Sequence, residues 1–191
     1  MLVNKYMNEQ ELVRRCLKCD NVARKQLYEQ YAHQLMGICI RYVTDREVAQ
    51  DILHDGFINI FRSLDKFTYR GEGSLRAWLT RVMINEALTF LRKKGHDNNE
   101  ILVEELPDMA DEDDDDFANI SPAKIMEFVK ELPDGYRTVF NLYVFEEKSH
   151  KEIGSLLGIT ERTSSSQFYR AKTLLMKKVQ EYRKNEDGRK G

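Results

Sequence analysis

Between Gly95 and Ala118 the chain places eleven acidic residues and no lysine or arginine, with an unbroken run from Asp113 to Asp116. Such a segment cannot bury enough apolar surface to offset the entropy lost on ordering it. It reads as a linker, so a single core spanning all 191 residues is not expected. The expected organisation is a first module over residues 1–94, an acidic linker over 95–118 and a second module over 119–191. The overall formal charge of −2 hides this arrangement. Outside the acidic segment 30 basic side chains face 21 acidic ones, a surplus of five before it and four after it. Two weakly basic modules suit surfaces that approach phosphates, although inert solvated faces carry similar surpluses.

Both modules read as all-α. Only three prolines and ten glycines punctuate the chain, and apolar residues between them recur at intervals of three and four. A short helix is expected to end near Cys19, followed by a stripe of Val22, Leu27, Tyr31, Leu35, Ile38, Cys39 and Tyr42. Thr44 to Glu47 has the form of a capping box, opening a third helix that runs to about Phe61. Leu64 to Gly73 reads as a loop, Ser74 as the cap of the next helix and Gly95 as its end. Past the acidic segment, Ile125, Met126, Val129 and Leu132 mark a short helix stopped by Pro133, and Val139, Phe140 and Tyr143 mark another.

The most specific local signal follows. Ser149-His150-Lys151-Glu152 is a capping box, Ile153, Leu156 and Leu157 give a short apolar face, Gly158 ends the helix and Thr160 caps a new one. Two short-linked helices of this kind form a helix-turn-helix, whose second member can enter a DNA major groove. With Ser164, Phe168, Ala171 and Leu175 turned inward, Arg162, Thr163, Ser165, Ser166, Tyr169, Arg170 and Lys172 become the candidate DNA contacts.

The other chemistry-bearing patterns are weaker. Cys16 and Cys19 form a CxxC, but no second pair with zinc-site spacing follows, so the cysteines read as small hydrophobes packed in a reduced state. His54-Asp55, with His33 upstream, resembles the His-Asp pair of metal-dependent phosphohydrolases; His96 and His150, the remaining histidines, fall in the linker and at a helix cap. Neither pattern implies a catalytic residue, a metal or a cofactor. No run of eighteen apolar residues and no signal-peptide succession occurs, which leads to the expectation of a cytoplasmic protein.

From about Glu9 to Val179 these features together resemble the extracytoplasmic-function sigma factors of the sigma-70 superfamily. Ala49-Gln50-Asp51-Ile52-Leu53-His54-Asp55-Gly56-Phe57 is similar to the family's Ala-Glu-Asp-Leu-Val-Gln-Glu-Thr-Phe segment, with His54 in place of Gln and Gly56 in place of Thr. The resemblance implies that Asp51, Asp55 and Phe57 bind the beta-prime subunit of core RNA polymerase, whose beta subunit is a further implied partner of the chain. Phe67 through Trp78-Leu79 resembles the family's loop and helix that open the promoter minus-ten element and hold an extruded base. Phe67, Tyr69, Arg70, Ser74 and Arg76 supply the aromatic and cationic types such a base needs, and Trp78, Arg81, Asn85 and Arg92 share one helical face. A plain solvated face accounts for the same spacing without the resemblance. Leu132-Pro133 and the Ile153-Gly158-Ile159 framework resemble the family's minus-thirty-five reading domain, with Ser165 and Gln167 where Lys and Arg are usual.

The implied function is that of an alternative sigma factor, not an enzyme, which directs polymerase to promoters and has no small-molecule substrate. An inhibitory anti-sigma factor is a further implied partner. The alternative is a DNA-binding regulator that never joins polymerase; it rests on the helix-turn-helix alone and leaves the first module unexplained.

Overall fold

The computed structural model describes residues 7–97 and 120–187. Within them eight α-helices and a single 3-10 turn account for the regular structure, as the all-α expectation requires. The chain divides into two compact units, Met1–Lys93 and Lys94–Gly191. Residues 98–119, most of the segment expected to be a linker, lie outside the described residues.

The first unit contains α1 (Glu9–Leu17), α2 (Asn21–Tyr42), α3 (Arg46–Ser63), the 3-10 turn Leu64–Lys66 and α4 (Ser74–Asp97). Asn8 caps α1 by accepting from the Glu11 amide at 2.8 Å. Asp20 caps α2 through the Val22 and Ala23 amides and is gripped from behind by Arg15 Nε at 2.7 Å. α1 and α2 therefore share one carboxylate at their junction. The buried stripe of α2 is Ala23, Leu27, Leu35, Ile38, Cys39 and Tyr42. Val22, expected in that stripe, is 66% exposed, because the first turn of α2 presents Ala23 to the core instead. α3 starts one residue later than expected. Asp45, not Thr44, supplies the cap, accepting from Glu47 and Val48 at 2.8 and 3.1 Å.

Of the three cysteines, Cys16 and Cys39 are buried, and burial raises their thiols to about 11 and about 12. Cys19 departs from the expectation of packing: it sits exposed in the turn after α1 with φ of 59°, within 3.3 Å of Arg24 Nη2.

α4 crosses α3 where Gly56 meets Met83. A β-carbon on Gly56 would lie 2.6 Å from the Met83 sulfur, so the glycine that departs from the family pattern is matched by a long side chain filling its place. Asn59 adds a hydrogen bond to Glu86 at 2.6 Å along the same crossing. α4 continues past Gly95 to Asp97, two residues beyond its expected end.

The second unit contains α5 (Pro122–Lys130), α6 (Asp134–Val144), α7 (His150–Leu157) and α8 (Glu161–Asp187). Phe128, Val129 and Leu132 pack against Ala171, Leu175 and Val179, so α5 and the far half of α8 close one core. Arg137 is 3% exposed and ends on α5: Nη1 donates to the Leu132 carbonyl at 2.6 Å and the Lys130 carbonyl at 3.3 Å. Its Nη2 pairs with Asp134. A guanidinium thus satisfies carbonyls that the end of α5 leaves without helical partners.

Among the described residues no helix is long and apolar enough to cross a membrane. No group of three or more His, Cys, Asp or Glu side chains able to hold a metal occurs among them either.

Candidate nucleic-acid and docking interfaces

In α3, Asp51, His54, Asp55 and Ile58 are all exposed, at spacings of three, four and seven that form one ridge. Phe57 does not belong to it. At 4% exposure it points into the unit, with its ring 4.6 Å from Tyr28 and 6.1 Å from Phe61. Two residues along a helix rotate a side chain by about 200°, so Phe57 cannot share a face with Asp55. Phe57, expected beside Asp51 and Asp55 at the docking contact, packs within the unit and lies off their exposed ridge. Ile58, seven residues beyond Asp51, is the exposed apolar member of this ridge.

After the 3-10 turn, Phe67 packs obliquely on Trp78, with ring centroids 5.6 Å apart. Both rings are half-buried, whereas Tyr69, Arg70 and Arg76 are exposed around them. Ser74 does not act as the expected helix cap or as a free contact. Its hydroxyl donates to the Gly71 carbonyl at 2.6 Å and accepts from the Arg70 amide at 3.2 Å, clasping the loop onto itself. Gly73, not Ser74, precedes the helix and accepts its first backbone bond, from Ala77.

Along α4 the expected division of faces is present. Arg81, Asn85 and Arg92 are exposed and Trp78 is half-exposed, while Leu79, Met83 and Ala87 are buried; Phe90 and Leu91 are half-buried. Thr89 orders this face: its hydroxyl donates to the Asn85 carbonyl at 2.8 Å and accepts from Arg92 Nη2 at 3.1 Å. An oblique aromatic pair, two guanidiniums and an amide thus line the surface next to an exposed loop tyrosine. Such a surface can stack an unpaired base and contact its backbone.

In the second unit the helix-turn-helix is built as its sequence signals imply. Ser149 and Glu152 form a reciprocal capping box, with the Ser149 amide donating to Glu152 at 2.9 Å. These bonds hold the Glu152 carboxyl below its ordinary range, the Ser149 amide contributing most. Gly158 closes α7 with φ of 70°, a conformation that favours glycine. Thr160 accepts from the Thr163 amide at 3.0 Å to open α8. Gly154 lets the turn fold back, since a β-carbon there would lie 2.8 Å from the Ile159 carbonyl oxygen.

On α8, Arg162, Thr163, Ser165, Ser166 and Tyr169 are exposed opposite buried Ser164, Ala171 and Leu175. The Thr163 hydroxyl also pairs with Thr160 at 2.8 Å within the cap. Arg170 is less free than its spacing suggested: it is half-buried and donates to the Tyr136 hydroxyl at 3.3 Å. Lys172 is likewise half-buried. Lys151, two residues after the capping serine, is an exposed cation on α7. Behind the turn, His150 stacks on Tyr143 at 4.6 Å and shares a hydrogen bond with the buried Ser164 hydroxyl at 3.0 Å, locking the two helices together.

Residues 27–96 match the family model described as Sigma-70 region 2, and residues 123–175 match that described as Sigma-70, region 4. The RNA polymerase sigma-H factor of Pseudomonas aeruginosa is 27% identical over 183 residues, covering 90% of this chain and 94% of that protein. The ECF RNA polymerase sigma-E factor of Haemophilus influenzae is 25% identical over 185 residues, covering 91% and 96%. A solved structure of the sigma factor RpoE in complex with the anti-sigma factor NepR from Bartonella quintana is 19% identical, covering 80% of this chain and 94% of that one at a TM-score of 0.47.

Proposed function

Because the chain belongs to the sigma-70 family, as an alternative sigma factor of the extracytoplasmic-function type that directs transcription initiation, we propose a division of labour between its two units. The family regulates transcription and is not a family of catalysts. Residues 1–94 dock on core RNA polymerase and hold the opened minus-ten strand, residues 119–191 read the minus-thirty-five duplex, and residues 95–118 join them. The exposed ridge of Asp51, Asp55 and Ile58 is the docking surface on α3. Phe67, Tyr69, Trp78, Asn85 and the cations Arg70, Arg76, Arg81 and Arg92 receive the strand, with Ser74 shaping the loop. Arg162, Ser165, Ser166 and Tyr169 face the groove, flanked by Thr163, Arg170 and Lys172, and Lys151 meets a phosphate from the first helix of the pair.

The observation that carries this reading is the Phe67–Trp78 pair beside the exposed Arg81, Asn85 and Arg92 face. A helix-turn-helix regulator has no use for such a surface in a separate unit. The protein works where polymerase works, in the cytoplasm, and family membership implies an anti-sigma partner that covers the docking ridge. In vitro transcription of fragmented genomic DNA with core polymerase tests the proposal. Discrete start sites that depend on the added chain are expected; binding to DNA without any association with core would sink it.

A further inference from the structure

The loop ahead of α4 is held both from within and from another helix. Ser74 clasps the loop from within. The other hold comes from a different helix: the Gly73 amide donates to Glu9 Oε2 at 3.1 Å, across 64 positions of sequence. That amide is among the donors that the start of α4 leaves without a helical partner. Gly73 has a left-handed φ of 85°, so its backbone is committed to an uncommon conformation at the point of contact. The second carboxylate oxygen of Glu9, Oε1, accepts from the Tyr31 hydroxyl at 3.3 Å. Burial above all, with the neighbouring Glu9 carboxylate, pushes the Tyr31 phenol up to about 12, which keeps it a proton donor throughout the neutral range. Glu9 itself is the first residue of α1, which packs against both α2 and the 3-10 turn that begins the loop. The carboxylate is thus oriented by α2 and spends its free oxygen on the loop.

We propose that Glu9 is a positioning residue for strand capture, holding the loop between Phe67 and Gly73 in the shape that offers its aromatics to an unstacked base. This rests on the role given to that loop above. Glu9 does not touch DNA in this proposal; it acts through the Gly73 amide. Its benefit is pre-organisation: a loop already ordered by α1 loses less conformational freedom when a base stacks on it. Because Gln keeps a carbonyl acceptor for Gly73 and an amide that can donate to the Tyr31 oxygen, the latch needs hydrogen bonds and not a charge.

The test uses the full chain with core polymerase, reading permanganate reactivity of unpaired thymines on duplex promoter and on a template mismatched across the minus-ten element. E9A should reduce open-complex formation on duplex by about tenfold, the scale of one lost hydrogen bond, with a much smaller loss on the mismatched template. E9Q should stay near wild type, and Y31F, which leaves the Gly73 bond but frees its orienting partner, should fall between. The double variant F67A/Y69A, run in parallel, separates the latch from the loop reading. If it is defective on duplex while E9A is not, the latch is overturned and the loop reading stands. If neither variant is defective, the loop reading fails and the latch falls with it. Equal loss by E9A on both templates, or an E9Q defect as deep as that of E9A, would also overturn the proposal by assigning Glu9 a general folding or charge role.

Discussion

Phe57 and Arg137 show how much a single side chain's surroundings decide. Phe57 lies in the same nine-residue motif as Asp51 and Asp55, yet it packs on Tyr28 inside the unit while they are exposed. Motif resemblance joined three residues that helical rotation separates. Charge reversal of the exposed pair, D51K with D55K, should lower affinity for core polymerase by about tenfold or more while the far-ultraviolet circular dichroism spectrum is retained. Unchanged affinity would remove the ridge from the docking surface. Arg137 makes the opposite case, a buried cation bonded to the Leu132 and Lys130 carbonyls. R137A should lower the stability of the second unit by about 2 to 3 kcal/mol in urea denaturation, because the Leu132 carbonyl loses a charged donor inside the fold. Glu152 gives a pH signature. Its folded pKa lies below the ordinary 4.5, so its stabilising contribution is fully present above that value and is lost as pH falls through the lower folded one. The melting temperature of the second unit should hold level down to about pH 5 and then decline, and E152Q should flatten part of that decline.

At the scale of elements, helix existence and most exposed faces were legible because they follow from apolar spacing, which tertiary contacts seldom reverse. The capping box at Ser149, the left-handed end at Gly158 and the Thr160 cap are local chemistry, and all were readable. What could not be read were choices between adjacent candidates and bonds made across the fold. Thr44 and Asp45 both cap well, and the stronger acceptor, a carboxylate placed over two amides, took the position. Ser74 was spent on its own loop, Arg170 was drawn to Tyr136 from another helix, and Cys19 was left outside by a turn that only the α1–α2 junction dictates. Two helix crossings turn on glycine and should respond differently to one methyl group. G56A places a β-carbon against the flexible tip of Met83, so the helix-propensity gain of about 1 kcal/mol should be offset by overpacking of about 1 to 3. Shortening that tip in G56A/M83V should recover part of the loss, a non-additivity measurable by a denaturation cycle. G154A meets a backbone oxygen instead, and no side-chain substitution at a neighbour should rescue it.

At the scale of the molecule, the proposed division of labour assigns the two units different steps of initiation, and those assignments are separable by experiment. Under that proposal, contacts from α8 to duplex DNA act before opening, so losing one should weaken recruitment, and mass action can compensate. Stacking at Phe67, Tyr69 and Trp78 becomes available only once a base has left the duplex, and contributes about 1 to 3 kcal/mol per base. R162A should therefore raise the polymerase concentration needed for half-maximal open complex, by about tenfold if the guanidinium makes one good base or phosphate contact, while the plateau at saturation stays near wild type. F67A/Y69A should do the reverse, leaving the half-maximal concentration for initial promoter binding little changed and lowering the plateau of permanganate-reactive thymines. On a template mismatched across the minus-ten element the R162A defect should persist, because recruitment is still required. The loop defect should shrink there, because the cost of unpairing has been removed from the protein's side. Titrating each variant on both templates gives four curves, and the crossed pattern is the expected result. A plateau loss in R162A, or a loop defect of equal depth on both templates, would show that the units do not divide recruitment from opening and that the assignment of faces to steps is wrong.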